Sequence, residues 1–512
     1  MHSLQTLRKP VRFLRGAAFG GLSLGLGLAL SGCIPGVEKP ELSLEVPASY
    51  RAAAKGDADA AVPALAWWRG FRSAELTGLM ESAQQYNLDI AVAIAQIVQA
   101  DAQAGVSGAA LLPSISGSAN AERQRVATGS TTSLGGGSTF SQYSLGLSAS
   151  YIVDFWGKNR ATLSASEESA TSARYNREVV ALTTMATVAN TYFQVLAAQD
   201  QINVTRRNLA AAERILALIK SQFAGGTASQ LDLSQQEALV ATQRAAIPPL
   251  EVTVGQNIAA LAVLVARAPA DFKVRGGSTT QIAIPRVTPG LPSELLYQRP
   301  DIRQAEAQLA SSNFSVDAAR AAFFPQIQLT GTTGFQSAAL ASLFAPGAWY
   351  YTLAAGLTQP LFDGFLLESQ FKLAKGQQLQ YLQAYRKAVL SAFADVEKAL
   401  IALQKYTLQE RLQSDVVAAS RKAFEVAETQ LRGGTVNLIT VLQAQQTLFT
   451  AENNLVTVRL NKLLAASNAG GVFVTDVAEL DGLDEGAIAA AADAAKAAGK
   501  EGQWLLSLQN TT

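Results

Sequence analysis

Apolar residues along this chain recur with two periods, and the period divides it into elements. From Gln142 to Trp156 the period is two. Tyr143, Leu145, Leu147, Ala149, Tyr151, Val153 and Phe155 alternate with Gln142, Ser144, Gly146, Ser148, Ser150, Ile152 and Asp154. Successive strand side chains point to opposite faces, so this stretch predicts a strand with one apolar and one polar face. It is long enough to cross a bilayer at a tilt. The alternation returns after Pro113 (Ile115, Gly117, Ala119 and Ala121 against Ser114, Ser116, Ser118 and Asn120) and after Pro325 (Ile327, Leu329 and Gly331 against Gln326, Gln328 and Thr330). It returns again from Trp349, where Tyr351, Leu353, Ala355 and Leu357 alternate with Tyr350, Thr352, Ala354, Gly356 and Thr358.

Between the strands the period is helical. Helices are expected over Trp67–Leu111 and from Lys158 to about Phe223. Others are expected over Gln230–Ala266 with a break at Pro248-Pro249, over Glu294–Phe324, from Leu366 to about Leu431, and over Leu438–Ser467. The two longest would each run about 100 Å at the rise of an α-helix. Gly225-Gly226-Thr227 ends the first and Gly433-Gly434-Thr435 the second. The plan therefore occurs twice: helix, strand, loop, strand, long helix, Gly-Gly-Thr turn, helix. The Gly/Ser/Thr-rich loop 128–141 contains Gly135-Gly136-Gly137, but no Lys-Ser/Thr and no helix start follow to cradle a phosphate. Residues 270–292, mixed with Gly and Pro, predict a small strand-bearing patch. The Ala-rich tail 472–512 has no assignment.

Only helices and closed barrels cross lipid, because an open strand edge leaves backbone groups unpaired. Four strands do not close a barrel. If they span a membrane, several chains must share one barrel. The face carrying Tyr143, Leu145, Leu147, Tyr151, Ile327, Leu329, Tyr351 and Leu353 would meet lipid. The Ser/Thr/Gln/Gly face would line a wet lumen. Tyr143, Tyr151, Phe155, Trp156, Trp349, Tyr350 and Tyr351 sit near strand ends, where interfacial aromatic girdles lie.

Charge adds exclusions. The 41 Lys and Arg against 40 Asp and Glu leave a formal net charge of +1, with no basic footprint for nucleic acid. The single His is His2 and the single Cys is Cys33, so no intrachain disulfide, Cys/His metal cluster or His-based triad is available. A Ser/Lys or carboxylate enzyme is compatible with the composition, but leaves the doubled plan unexplained. No cofactor is expected. Arg8, Lys9, Arg12 and Arg15 precede an apolar run, Ala17–Leu30, in the manner of a secretory signal. Leu30-Ser31-Gly32-Cys33 resembles the bacterial lipoprotein box, which makes Cys33 the lipidated N-terminus. Ile34 rather than Asp follows, which favours the outer membrane.

With these features the chain resembles the TolC-type outer-membrane efflux family, in its NodT-like lipoprotein branch. The resemblance rests on the lipoprotein box, the doubled plan and the segment Leu295-Leu296-Tyr297-Gln298-Arg299-Pro300-Asp301-Ile302-Arg303-Gln304-Ala305-Glu306. It implies a mixed α and β fold: four transmembrane strands per chain in a 12-stranded barrel shared by a homotrimer, continued by a long α-helical periplasmic barrel. The expected parts are a signal peptide (1–32), a lipidated arm (33–66), two repeats (67–270 and 293–471), an equatorial linker (271–292) and the tail (472–512). Implied partners are a periplasmic adaptor, an inner-membrane resistance-nodulation-division pump and outer-membrane lipid.

The implied role is a passive conduit for small molecules; a type I protein secretion conduit and a structural coiled-coil lipoprotein are the alternatives. The Gly-Gly-Thr turns are either plain hairpin turns or docking tips presenting Gly225, Gly226, Thr227, Leu231, Gly433, Gly434, Thr435 and Leu438. Asp232 is either a helix-start carboxylate or part of the tunnel mouth. The family often carries Asp after the second tip, where this chain has Thr440 and Gln443; closure there would rest on uncharged contacts.

Overall fold

The computed structural model describes residues 50, 66–125, 139–285, 296 and 298–472. The signal segment, Cys33, most of the arm, the loop 126–138 and the tail beyond 472 lie outside the described residues. The fold is mostly helical with one small antiparallel sheet.

The first helical region is divided, where one helix over Trp67–Leu111 was expected. A 3-10 turn, Trp67–Phe71, precedes α1 (Ala74–Tyr86) and α2 (Leu88–Gly108). Asn87 makes the break: its backbone is extended, and its Oδ1 accepts the amides of Asp89 at 2.9 Å and Ile90 at 3.1 Å. This is N-cap chemistry in the middle of an apolar periodic run. Two strands follow, β1 (Ser114–Arg125) and β2 (Thr139–Val153), then α3 (Lys158–Ala224), α4 (Gln230–Ala245) and α5 (Ile247–Leu264). Pro248 and Pro249 sit in the first turn of α5, where their missing amides have no intrahelical partner to lose. The second half supplies α6 (Pro300–Ala321), β3 (Gln326–Ser337), β4 (Trp349–Thr358), α7 (Leu366–Arg432) and α8 (Leu438–Val472). α6 ends at Ala321, short of the expected Phe324, and Pro300 takes its first position; residues 294, 295 and 297 of the expected start lie outside the described residues. Both α3 and α7 have 67 residues, about 100 Å of helix.

The expected strand in 270–292 is not present among the described residues. The segment has one 3-10 turn, at Thr279–Gln281, and three of its amides go to carboxylates instead of a neighbouring strand. Glu75 accepts Arg275 N at 2.6 Å and Gly276 N at 3.2 Å; Asp200 accepts Thr279 N at 2.9 Å.

The chain divides into two compact units that cut across its two halves. Gly108–Thr162 joins Asn313–Gly376 in one, and the remaining described residues form the other. In the first unit the strand order is β1-β2-β3-β4, antiparallel throughout. The pairing of β2 with β3 joins the two hairpins: Leu145 faces Phe335, Leu147 faces Thr333 and Tyr151 faces Leu329. β3 in turn sets Gly331 against Leu353 and Thr333 against Tyr351. Directly paired residues share a face, so one register places Tyr143, Leu145, Leu147, Tyr151, Ile327, Leu329, Tyr351 and Leu353 together. Leu353, 79% exposed, and Tyr351, 62%, stand open on that face. β2 ends at Val153, short of the expected Trp156, because Asp154 turns to cap α3, accepting Asn159 N and Arg160 N at 2.9 Å each. Trp156 stacks on Phe324 at 4.5 Å and donates its indole N–H to the Pro325 carbonyl at 2.8 Å.

The second unit holds the largest core. Trp67, Phe71, Leu76, Met80, Val188, Phe193, Leu196, Leu261 and Leu463 interlock α1, α3, α5 and α8. A second cluster, with Ile215, Ile219, Phe424, Leu431, Leu438, Val441 and Phe449, packs the hairpin α3/α4 against α7/α8.

Candidate functional site

The two Gly-Gly-Thr turns fold alike, hydrogen bond for hydrogen bond. At the first, Thr227 N donates to Gln222 O at 2.9 Å and Gly226 N to Phe223 O at 3.0 Å. At the second, Thr435 N donates to Gln430 O at 2.9 Å and Gly434 N to Leu431 O at 3.0 Å. This double bond, around a left-handed residue, is the Schellman closure of a helix C-terminus. Each threonine hydroxyl adds a bond to the same carbonyl, Gln222 at 3.0 Å and Gln430 at 3.1 Å. Gly226 (φ +74) and Gly434 (φ +70) need to be glycine, whereas Gly225 and Gly433 do not: a Cβ on Gly225 would meet only ordinary contacts at 3.5 Å and beyond. Gly226→Ala is expected to cost about 1–2 kcal/mol. Gly225→Ala should be neutral, or stabilising by about 0.4–1 kcal/mol. Urea unfolding followed by far-UV circular dichroism distinguishes the pair.

Both tips restart with matched caps. Ser229 forms a capping box with Asp232: Ser229 N donates to Asp232 Oδ2 at 2.9 Å, and Asp232 N donates to Ser229 Oγ at 3.1 Å. The Ser229 hydroxyl and amide hold the Asp232 carboxyl below the usual carboxylate range. At the second tip Asn437 Oδ1 accepts Thr440 N at 3.1 Å and Thr440 Oγ1 at 2.9 Å. Asp232 and Thr440 thus occupy equivalent helix-start positions. Gln443 is exposed beside a groove of about 470 Å³ that also takes in Gln413, Val416, Gln446, Thr447 and Thr450.

The turn residues Gly225, Gly226, Thr227, Gly433, Gly434 and Thr435 are exposed, and Leu231 is 63% exposed. Leu438, expected at the surface, is 3% exposed and sits in the core beneath the tips. Its neighbour Ile439 takes the outward position, 49% exposed. Counting from the left-handed glycine gives the match, since Leu231 and Ile439 each lie the same number of residues beyond it. Apolar character alone does not separate Leu438 from Ile439.

Ion pairs tie the second hairpin together. The buried Glu452 of α8 is bridged by Arg421 of α7. Glu410 receives Arg459 Nε at 3.1 Å and Lys462 Nζ at 2.9 Å. Burial opposes ionisation of Glu410, but these two cations hold its carboxyl below the ordinary range. A depressed carboxylate stabilises the folded chain fully above its unfolded pKa, about 4.3, and that contribution is lost as pH falls through the folded value. Thermal stability is therefore expected to be insensitive to this group from pH 5 to 8 and to fall below about pH 4, with Glu410→Gln removing part of that fall.

Arg299-Pro300-Asp301 opens α6. Arg299 grips Asp301 with two bonds, Nε–Oδ1 at 2.9 Å and Nη2–Oδ2 at 2.7 Å, and reaches Asp395 of α7 at 3.6 Å. Burial disfavours the Arg299 cation, yet the two carboxylates hold its pKa above the ordinary value. The segment borders a cavity of about 550 Å³ lined by Val179, Leu182, Asp395, Lys398 and Asn468.

A sheet with a bare apolar face and very long helices ending in paired, capped hairpin tips defines an outer-membrane channel protein. Residues 79–267 and 291–468 match the family described as outer membrane efflux protein, and the chain belongs to that family. The pyoverdine export outer membrane protein OpmQ of Pseudomonas putida is 36% identical over 447 residues, covering 86% of this chain and 94% of that protein. The toluene efflux pump outer membrane protein TtgC, also of Pseudomonas putida, is 32% identical, with 86% and 92% covered. Among solved structures, the open state of the Neisseria gonorrhoeae MtrE outer membrane channel is similar at a TM-score of 0.74 and 27% identity, covering 86% of this chain and 98% of that one. The outer-membrane channel OprN, at 0.80 and 23%, shares the fold, with 86% and 98% covered.

Proposed function

We propose that three copies of this chain close one barrel of four strands each and form a passive conduit for small organic molecules. One observation carries the reading: a four-stranded sheet whose register gathers its large apolar residues on one bare face while β1 and β4 form its two edges. Such edges require partners in lipid. Apolar residues left open on α2 and α5, such as Val106 and Val263, support covering by neighbouring copies. The polar sheet face lines the lumen, and the tips receive a periplasmic adaptor that carries an inner-membrane pump of the resistance-nodulation-division type. Names of relatives, pyoverdine export and toluene efflux, support small-molecule cargo over protein. Cys33, once acylated, adds a lipid anchor.

The test has two parts. Purified protein in a planar bilayer should conduct as a trimer; absence of current defeats the conduit. A photo-crosslinker attached to a cysteine at Thr435 in living cells should capture a periplasmic adaptor of the efflux type. Capture of a secretion-type adaptor instead moves the cargo to protein.

A further inference from the structure

The charges of the sheet are confined to one corner. Its four strands hold three charged residues, Glu122, Arg123 and Arg125, all at the end of β1 that enters the first hairpin loop. That loop, residues 126–138, contains no charge, and none occurs from Ala321 to Phe362, which takes in the whole second hairpin. Register assigns the three to faces. Arg123 pairs with Ser141 and Arg125 with Thr139, in parity with Ala121 opposite Tyr143, so both arginines stand on the apolar face directly beyond Tyr143. Glu122, opposite Gln142, takes the polar face. Both arginines are exposed, with no carboxylate in the strands on their face. The first hairpin also rises above the second. β2 and β3 part at Tyr143 and Ser337, while β1 and β2 stay paired through Arg125 and Thr139, about 13 Å farther along the strand. The second hairpin loop turns at the lower level and folds onto the apolar face: the Phe344 ring lies 5.3 Å from that of Phe335, and Leu343 is buried. Leu340, 64% exposed, and Phe344, 66%, remain open there. Two arginines thus overlook an apolar ledge.

We infer that this corner binds a phosphate-bearing, multiply acylated lipid of the outer leaflet. The strands pass into helices at the opposite end of the sheet, so the hairpin loops lie at the outward end of a conduit whose helices are periplasmic. There the apolar band ends and the lipid headgroups begin. An arginine facing hydrocarbon is costly and one at the interface is not, so the parity of Arg123 and Arg125 sets them at the headgroups. A guanidinium presents a planar fork that matches phosphate oxygens in pairs. A zwitterionic headgroup supplies its own cation; two arginines with no carboxylate on their face call for a group of net negative charge. Below them Leu340 and Phe344 give acyl chains an apolar wall, at a level where a second hairpin of full height would stand in the way. One register fixes the charged and apolar parts relative to each other. The inference rests on the conduit reading and adds the class of lipid that the sheet recognises.

Detergent-solubilised full-length protein, titrated with lipid A and read by native mass spectrometry, tests it. Lipid A should bind, and its dephosphorylated form should bind about tenfold more weakly. Arg123→Gln combined with Arg125→Gln should weaken lipid A by about tenfold or more and leave the dephosphorylated form unchanged. The paired lysine substitutions should keep part of the affinity, since the charge remains while the fork is lost. Phe344→Ser should weaken both forms alike. Arg207→Gln combined with Arg267→Gln removes the same charge from exposed positions outside the sheet and should change nothing. Inorganic pyrophosphate separates a lipid site from a free-phosphate site, and should bind far more weakly than lipid A. Lipid A affinity indifferent to the paired glutamines or to Phe344→Ser, in protein that conducts in planar bilayers, overturns the site and leaves the conduit standing. Pyrophosphate bound as tightly as lipid A does the same. Protein that carries no current overturns the conduit and the site with it.

Discussion

Phe193→Ala is expected to lower the unfolding free energy by about 3–5 kcal/mol, the range for deleting a buried aromatic ring. Phe193 has no solvent exposure, and its ring lies 5.0 Å from that of Phe71. It belongs to the cluster where the Trp67–Phe71 turn, α1, α3, α5 and α8 meet. The backbone does not offset the loss: alanine suits a helix better than phenylalanine, so α3 itself gains slightly while the cavity remains. The matched control is Phe223→Ala, the same deletion at a site 40% exposed near the end of α3, where the cost should be well under half as large. Denaturant unfolding by far-UV circular dichroism reads both. Equal costs would mean that the cluster around Phe193 is not the core that holds these helices.

Leu438→Ala and Ile439→Ala should separate stability from docking at adjacent residues. Leu438 packs with Ile219, Leu431 and Val441 under the tips, and its truncation is expected to cost about 2–5 kcal/mol. Ile439 points outward, and its truncation should change stability by about 0.5 kcal/mol or less. The reverse holds for partner capture at Thr435: Ile439→Ala should weaken it, and so should Leu231→Ala at the other tip. If Ile439→Ala captures the adaptor as well as the unsubstituted chain does, the docking surface lies elsewhere.

The contrast between these two residues marks where reading along the chain stops. Period two located all four strands, since alternation follows directly from the pleat. The long helices were legible from Lys158 to Phe223 and from Leu366 to Leu431 because neither contains a proline, and each glycine pair ends one. The paired turns, including the demand for glycine at 226 and 434, follow from local bonding to the preceding helical turn. The Asn87 break was also written locally, in an N-cap residue before Leu88-Asp89, but the apolar period running through it masks the signal.

Other features depend on partners distant in sequence. Residues 270–285 look able to form a strand, yet the amides of Arg275, Gly276 and Thr279 are taken by Glu75 and Asp200, far away along the chain. The joining of β2 to β3, which brings apolar residues from both halves onto one face, is a pairing between segments separated by α3, α4, α5 and α6. Which of Leu438 and Ile439 is buried depends on where α3 and α7 lie against α8. The sequence by itself determined the four strands, the two long helices and their glycine turns, because those are set by neighbours a few residues apart. Only the tertiary structure decided register and burial at the tips, because each depends on which distant surface arrives and which is left open.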